Sequence, residues 1–444
     1  MFFLYVRLLL CLFFASSSFA FELIRDAEIE EYLYDISKPI FRSAGFEKNS
    51  IQFYLVKDNS INAFVYGGSN IFVHTGLIES SDTPNMLQGV IAHELGHITG
   101  AHIVKMQSQM SKALTTYAFA TLLSIGALVA NSPESSNVAI ASITLGQHIA
   151  ERNLLAFSRS QEAEADRYAM IFLRKSKISS NGMLELFEKL KHIQKRFVKN
   201  IDKYSVTHPL GKQRMRYFKE NPSNDGGIFN NNFLQRHRFV QAKILAYSKN
   251  DTLYTNADKI LENKKYRAYY LVYKNILENQ YSESLKNIEF LLSSNPNNPY
   301  FHEVASAVYL NLQSVTKARK HLQSAVKLTE NNLFLRHELS SFLIKNFNDE
   351  KTLHKAVFIL EDLKNTKEAN NVLYKNLQFA YRKLNMEEHY LISAIEEIVL
   401  FDENLNDGNV KVKLHRLIYN LEKQLKIHNN DIIMERLKRV KKDL

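Results

Sequence analysis

A His-Glu-x-x-His pattern in the apolar segment Ile91–Ile98 restricts the local fold of the chain. On an α-helix, residues four positions apart share a face, so His93 and His97 would direct both imidazoles to one point. Two such neutral rings suit a tetrahedral Zn²⁺ that keeps one position for water, and Glu94 is placed to accept the water's proton. Because so short a pattern also arises by chance, the rest of the chain must support it.

An acidic segment further along the chain offers a third ligand. Ser158–Asp166 reads SRSQEAEAD, and its Glu162 and Asp166 lie four residues apart, on one face of a predicted helix. Glu162 can complete a metal site, and Asp166 can accept the second ring N–H of a ligand histidine. By itself such a segment is more often a solvated helix face. Beside the histidine pair, the metal-binding interpretation is favoured.

The first 20 residues have the features of a cleaved secretory signal peptide. Arg7 precedes the short apolar core LLLCLFF, and Ser18–Ala20 places small residues where a signal peptidase acts. A retained N-terminal anchor is the alternative, although the core is short for a membrane span. The chain's one cysteine, Cys11, lies in this segment, so we expect no disulfide and no thiolate ligand in the mature protein.

Helix and strand patterns follow this segment. Periodicity predicts a helix over Leu23–Ala44, and β-branched and aromatic residues predict a strand over Ile51–Val56. Ala63–Tyr66 and Ile71–His74 are predicted strands of a hairpin that turns at Gly67–Asn70.

The helix that carries the histidines has a recognisable start. Thr83 offers an N-cap hydroxyl, and Pro84 suits the first helical turn. We expect this helix to continue past the motif and to carry His102 on a face turned away from the metal ligands.

Ala113–Ala130 is an apolar segment without charge, at the lower limit of transmembrane length. Polar residues at Asn131–Glu134 then predict a turn back into Val138–Leu145. These features favour a helical hairpin that is buried or faces a membrane, and a true membrane span is the alternative.

The C-terminal part of the chain contains an internal repeat. Asn297–Tyr300 corresponds to Asn331–Phe334 at an offset of 34 residues (297 to 331), which is the period of tetratricopeptide repeats. A looser third unit aligns Ala356 with Ala318 after a four-residue insertion. A protein-binding solenoid is favoured over a generic helical bundle, although the chain has no Trp and so departs from the full consensus.

Several short segments occur together in a characteristic order. They are Asn62-Ala63-Phe64, Gly67-Gly68, Thr75-Gly76-Leu77, His93-Glu94-Leu95-Gly96-His97, Ser158-Arg159, Glu162, Ala165-Asp166 and Thr207-His208-Pro209 with Arg214. This order resembles the zinc endopeptidase family typified by the CAAX prenyl endopeptidases. The resemblance covers nearly all of the predicted mature chain and is densest over residues 51–216.

The resemblance implies a role for each residue of the site. His93, His97 and Glu162 would bind zinc, and Glu94 would act as the general base. His208 would bind the zinc in place of water and keep the site latent; an oxyanion-stabilising role and a purely structural role are the alternatives. Asp166 would orient a ligand histidine.

Arg214 would hold the loop of His208 by ion pairing.

The resemblance also implies an architecture: a mainly α chain, with a small α+β zincin-like metalloprotease domain followed by an α-helical tetratricopeptide-like solenoid. The expected division is a signal peptide at 1–20, the metalloprotease domain at 21–225, a linker with connecting helices at 226–265 and the repeat domain at 266–444. The net charge of +11 is dispersed, and no nucleic-acid-binding module is recognisable, so we expect no nucleic-acid partner.

The implied function is that of a periplasmic zinc metalloendopeptidase that cleaves misfolded or stalled outer-membrane proteins. The repeats would dock substrates or the outer-membrane barrel-assembly machinery, and residues 113–130 would contact a membrane surface. A substrate strand would add to a sheet edge near Ile71–Val73. The alternative is a chaperone or adaptor whose repeats act largely without proteolysis.

Overall fold

The structure is a computed structural model that describes residues 22–47, 50–129, 153, 157–196, 208, 211–223, 231–248, 257–402, 404–442 and 444. The signal-peptide prediction at 1–20 and the hairpin arm Val138–Leu145 lie outside the described residues. The chain divides into two compact units between Arg267 and Ala268.

The first unit contains a four-stranded sheet with the order β1-β2-β4-β3. Its strands are β1 (Leu23–Ile24), β2 (Gln52–Val56), β3 (Ala63–Tyr66) and β4 (Asn70–His74). β2 and β4 are parallel, whereas β1 pairs antiparallel with β2, and β3 pairs antiparallel with β4.

The predicted hairpin is confirmed, and its turn uses Gly67 and Gly68 at φ values of 63° and 92°. Such positive φ angles favour glycine, because it has no Cβ. The prediction of a free edge at Ile71–Val73 is wrong, since β4 is paired on both sides. In the described part of the chain the edges of this sheet are β1 and β3.

The first helix, α1 (Ala27–Ser43), is shorter than predicted. Leu23 and Ile24 form β1 instead, because their backbone pairs with β2. Asp26 then starts the helix, as its side chain accepts a hydrogen bond from the backbone N–H of Ile29 at 3.0 Å.

A short helix, α2 (Thr75–Ser80), leads into α3 (Pro84–Thr99), which carries the histidine pattern. Pro84 occupies the first turn as predicted, but the Thr83 hydroxyl makes no capping bond. That hydroxyl lies 3.3 Å from Glu185 Oε2, so a tertiary contact replaces the local cap.

The prediction that His102 lies on the same helix is wrong. α3 ends at Thr99 with Gly100 as its C-cap, and Ala101 adopts a left-handed conformation with φ 52° that turns the chain. His102 begins the next helix, α4 (His102–Val129). None of the described helices, α4 included, is both long enough and apolar enough to cross a membrane.

The rest of the first unit is helical and surrounds α3. Its helices are α5 (157–175), α6 (Asn181–Arg196), α7 (Lys212–Glu220), α8 (Asn231–Tyr247) and α9 (Ala257–Leu261). α3 packs against α1, α6 and β3. Its apolar face, with Leu87 and Ile91, is buried among Leu33, Ile36 and Phe187. Burying one such side chain contributes about 1.5–3 kcal/mol, which fixes the helix in place.

Helices alone form the second unit, which begins within α10 (Lys264–Leu277). The following helices are α11 (Tyr281–Ser294), α12 (Pro299–Asn311), α13 (Val315–Leu328), α14 (Leu333–Asn346), α15 (Glu350–Leu363), α16 (Asn371–Lys383), α17 (Glu387–Phe401), α18 (Gly408–His428) and α19 (Asp431–Lys442). From α11 onward, consecutive helices pack against one another.

The predicted 34-residue period appears in the helix bounds: α12 begins at Pro299 and α14 at Leu333. The backbone repeats as well, because Asn279 and Gln313, also 34 positions apart (279 to 313), both adopt left-handed φ values of 58° and 60° between paired helices. The tetratricopeptide assignment itself stays a prediction.

The third unit repeats the buried positions of the second. Ala318, Leu322 and Ala325 of α13 correspond to Ala356, Leu360 and Leu363 of α15 at a constant offset of 38 residues (318 to 356), four more than the 34-residue period. The burial pattern therefore supports the predicted alignment of Ala356 with Ala318 after a four-residue insertion, although the two helices begin 35 residues apart (315 to 350).

Candidate metal centre

Helix α3 places His93 and Glu94 of the pattern in an enclosed position, with His97 partly exposed. His93 is 0% exposed and Glu94 1% exposed, among apolar neighbours that bury the same helix. The Nε2 atoms of His93 and His97 lie 3.1 Å apart, as the four-residue spacing predicts for one helix face.

Glu162 reaches this pair from α5 because the two helices approach closely at Gly96. A Cβ at Gly96 would lie only 2.6 Å from the carbonyl oxygen of Ala165, so the crossing requires glycine. With the helices this close, Glu162 Oε2 lies 3.3 Å from His93 Nε2, and Glu162 Oε1 lies 3.3 Å from His97 Nε2.

His208 completes the group of side chains. Its Nδ1 lies 3.1 Å from Glu162 Oε1 and 3.3 Å from His93 Nε2. Its Nε2 lies 3.4 Å from Glu94 Oε1. The structure therefore brings together the four predicted ligands and the predicted base, although more than a hundred residues separate His208 from α3.

The spacing of these atoms fits a metal ion. A tetrahedral ion with ligands at about 2.0–2.1 Å holds neighbouring ligand atoms about 3.3–3.4 Å apart. One ligand atom each from His93, His97, Glu162 and His208 lies within 4.8 Å of the others, and their closest separations are 3.1–3.3 Å. Oε1 of Glu94 is buried and has no hydrogen-bond partner among the described residues, so it can bind a water at this centre.

Asp166 and Arg214 surround His93 on its other side. Asp166 Oδ1 lies 2.9 Å from His93 Nδ1, so this nitrogen donates and Nε2 keeps its lone pair for a metal. Arg214 donates to Asp166 at 2.7 Å and lies 2.8 Å from Glu162 Oε2. Its guanidinium also lies over the Phe187 ring, at 5.2 Å from the centroid. The arginine thus links both carboxylates.

The comparison with known proteins supports this geometry, since residues 26–221 match the model of Peptidase family M48. The chain carries a peptidase family M48 domain. All residues of the centre fall inside the matched segment, and the family resemblance drawn from the motifs is confirmed.

Relatives of this chain include the β-barrel assembly-enhancing protease of Escherichia coli (strain K12), 24% identical over 319 residues. That alignment covers 70% of this chain and 64% of the relative, so the chain spans slightly under two thirds of that protein's length. Metalloprotease LoiP of the same organism is 29% identical over 202 residues, covering 45% of this chain and 73% of LoiP.

The carboxylates around His93 favour a positive charge on its imidazole. Burial and Arg214 lower the pKa of His93, but Asp166 and Glu162 outweigh them and raise it to about 9. A metal ion can replace the proton that these carboxylates attract. Burial raises the pKa of the Glu94 carboxyl, which increases its affinity for a proton.

One residue of the centre was missed by the sequence interpretation. His102 is 3% exposed, and its Nδ1 lies 2.9 Å from Nδ1 of His97. The signal that could have found it is Gly100, since glycine commonly follows a helix C-terminus and marks a change in chain direction.

Proposed function

We propose that this chain is a zinc metalloendopeptidase that acts in the periplasm. The observation that carries the proposal is the group of four candidate ligand atoms, which lie within 4.8 Å of one another beside Glu94. Membership of the domain in a peptidase family supports the reaction class. Imidazole and carboxylate ligands with tetrahedral spacing favour Zn²⁺ over Mg²⁺ or Ca²⁺, which prefer oxygen ligands in larger numbers.

In this mechanism His93, His97 and Glu162 would hold the metal, and Asp166 and Arg214 would orient the ligands. A bound Zn²⁺ lowers the pKa of water and polarises a carbonyl. Glu94 accepts the proton of the water whose oxygen bonds to the peptide carbonyl carbon. It then delivers that proton to the amine nitrogen as the C–N bond breaks.

An extended substrate would bind at β3 rather than at β4. β3 is an edge strand of the sheet and packs against α3, the helix of the histidine pattern. An edge strand offers unpaired N–H and C=O groups to a peptide backbone, and this suits an endopeptidase that reads extended chains.

A test of the function begins with metal removal. The purified full chain treated with a strong zinc chelator should lose cleavage of a casein-type substrate, because the ligands are brought together to hold the ion. Added Zn²⁺ should restore the rate, and metal analysis of the same samples should follow the activity. Undiminished cleavage by protein that metal analysis finds free of metal would contradict the proposal.

His208 is proposed as the regulatory ligand of this centre. Its Nδ1 lies 3.1 Å from Glu162 Oε1, a distance that supports a role as fourth ligand in place of water, and its Nε2 lies 3.4 Å from Glu94 Oε1. Such a ligand closes the position that a catalytic zinc needs. The site would therefore stay latent until the segment around His208 moves.

The variant His208→Ala should cleave a casein-type substrate several-fold faster than the wild type, at unchanged zinc content. The exposed histidine variant His192→Ala should match the wild type in both measurements. A loss of activity in His208→Ala would instead support oxyanion stabilisation, and an unchanged rate would support a structural role.

The proposed location and partners rest on sequence. The pattern of residues 1–20 supports export, and the name of the β-barrel assembly-enhancing relatives supports a role in outer-membrane protein assembly. Misfolded or stalled outer-membrane proteins would be the substrates. The helical repeats would dock them or the barrel-assembly machinery, and residues 113–130 would contact a membrane surface.

A chaperone or adaptor function is the second candidate. It is favoured by exposed apolar side chains on the helices of the second unit, such as Phe358 at 74% and Val412 at 70% exposure. Retention of the full biological effect by a Glu94→Gln protein would support this candidate over the protease.

A further inference from the structure

The turn after α3 folds His102 back onto the metal centre. Ala101 adopts a left-handed conformation with φ 52°, and the imidazole of His102 then lies over Gly100. A Cβ at Gly100 would approach His102 Nε2 to 2.3 Å, so only glycine leaves room for the ring. Helix α5 holds the turn, since Gln161 Nε2 donates to the backbone oxygen of His102 at 2.9 Å.

The partners of His102 determine which of its nitrogens carries the proton. Nε2 lies 3.2 Å from Glu164 Oε2, and a carboxylate accepts hydrogen bonds, so Nε2 carries the hydrogen. Nδ1 of the neutral ring is then an acceptor. Nδ1 of His97, at 2.9 Å, must therefore donate to it.

This chain of hydrogen bonds has a consequence for the metal. A histidine that donates through Nδ1 presents the lone pair of Nε2, and Nε2 of His97 is the atom that faces His93 and Glu162. Asp166 orients His93 in the same manner from the other side. The two histidines of α3 are thus oriented by different residues, His93 by Asp166 and His97 by His102.

We propose that His102, oriented by Glu164, is a positioning residue that fixes the tautomer and ring orientation of the metal ligand His97. The inference rests on the proposed zinc site. Partners of this kind commonly contribute about 10–100-fold to metal affinity.

The test measures zinc dissociation constants of the full chain by competition with a chromogenic chelator. His102→Leu has an apolar side chain of similar bulk but lacks the nitrogen that accepts the hydrogen bond of His97. It should weaken zinc binding by about 10–100-fold. His102→Asn keeps an acceptor for the His97 N–H and should retain most of the affinity. Equal losses in the two variants would indicate packing alone and overturn the proposal, as would unchanged affinity in His102→Leu.

Glu164→Ala provides a second measurement at a partly exposed position, where folding is not at risk. It should weaken zinc binding in the wild-type background but have no further effect in the His102→Leu background, because Glu164 acts through His102. Additive losses would overturn the proposed connection. Glu220→Ala is the matched control, since Glu220 is an exposed carboxylate of the same unit that pairs with Arg216, and zinc affinity should stay that of the wild type.

The wild type is measured first, so that the two proposals fail in different ways. Absence of zinc binding by the wild type would overturn the zinc site together with this inference. Tight binding by the wild type with an unchanged constant in His102→Leu would overturn only the role of His102.

Discussion

Replacing Glu94 by Gln should reduce cleavage of a casein-type substrate by about 10²–10⁴-fold, the usual contribution of a general base. The amide has the size of the carboxylate but cannot accept the proton of an attacking water. Glu94 does not belong to the four ligand residues, so zinc content should stay that of the wild type. The measurement compares initial rates and metal content in the same preparations.

The matched control is Glu220→Gln, at an exposed position on α7 in the same unit, which should leave both quantities unchanged. Substantial cleavage by a zinc-loaded Glu94→Gln protein would assign the general base to another residue. Loss of zinc in this variant would instead place Glu94 among the metal ligands.

Replacing Gly96 by Ala should disrupt the metal centre without altering any of its ligands. The new Cβ would lie 2.6 Å from the oxygen and 2.9 Å from the Cα of Ala165, both backbone atoms of α5. The helices must separate, which moves Glu162 away from the two histidines. We expect zinc affinity to fall by at least tenfold and the free energy of unfolding to fall by about 1–3 kcal/mol, the typical cost of overpacking.

Chelator competition and thermal unfolding of the variant measure the two effects. Gly408→Ala is the control, because a Cβ at Gly408 meets no atom within 4 Å and its φ is not positive. It should match the wild type in zinc affinity and differ little in stability. Wild-type values for the Gly96→Ala protein would contradict the requirement for close helix packing at the centre.

The elements that the sequence predicted well depend on short-range patterns. The hairpin at Gly67–Gly68 follows from a turn that needs positive φ, and the start of α3 at Pro84 follows from the fixed φ of proline. The 34-residue period of the second unit is likewise visible in short segments that recur along the sequence, such as Asn297–Tyr300 and Asn331–Phe334. The prediction that the Thr83 hydroxyl caps α3 is wrong, because that hydroxyl contacts Glu185 on a neighbouring helix instead.

Predictions that depended on distant contacts were less complete. The sequence predicts a sheet edge at β4, but in the structure β4 pairs in parallel with β2. This pairing joins residues that are not neighbours in sequence, so local patterns do not reveal it. Helical periodicity extended through Gly100 turns His102 away from the ligands, whereas in the structure the helix ends there and a new one begins at His102. His208 was found through family resemblance alone, as no local pattern connects it with α3.

The sequence by itself determined the kinds of ligand and their placement on two helix faces, because the four-residue spacings in His93–His97 and Glu162–Asp166 act within one helical turn. Only the tertiary structure decided that these faces meet at Gly96, that His208 Nδ1 lies 3.1 Å from Glu162 Oε1 and that His102 Nδ1 lies 2.9 Å from His97 Nδ1. The reason is physical: side-chain convergence across helices depends on backbone approach and turn geometry, which spacing along the chain does not encode.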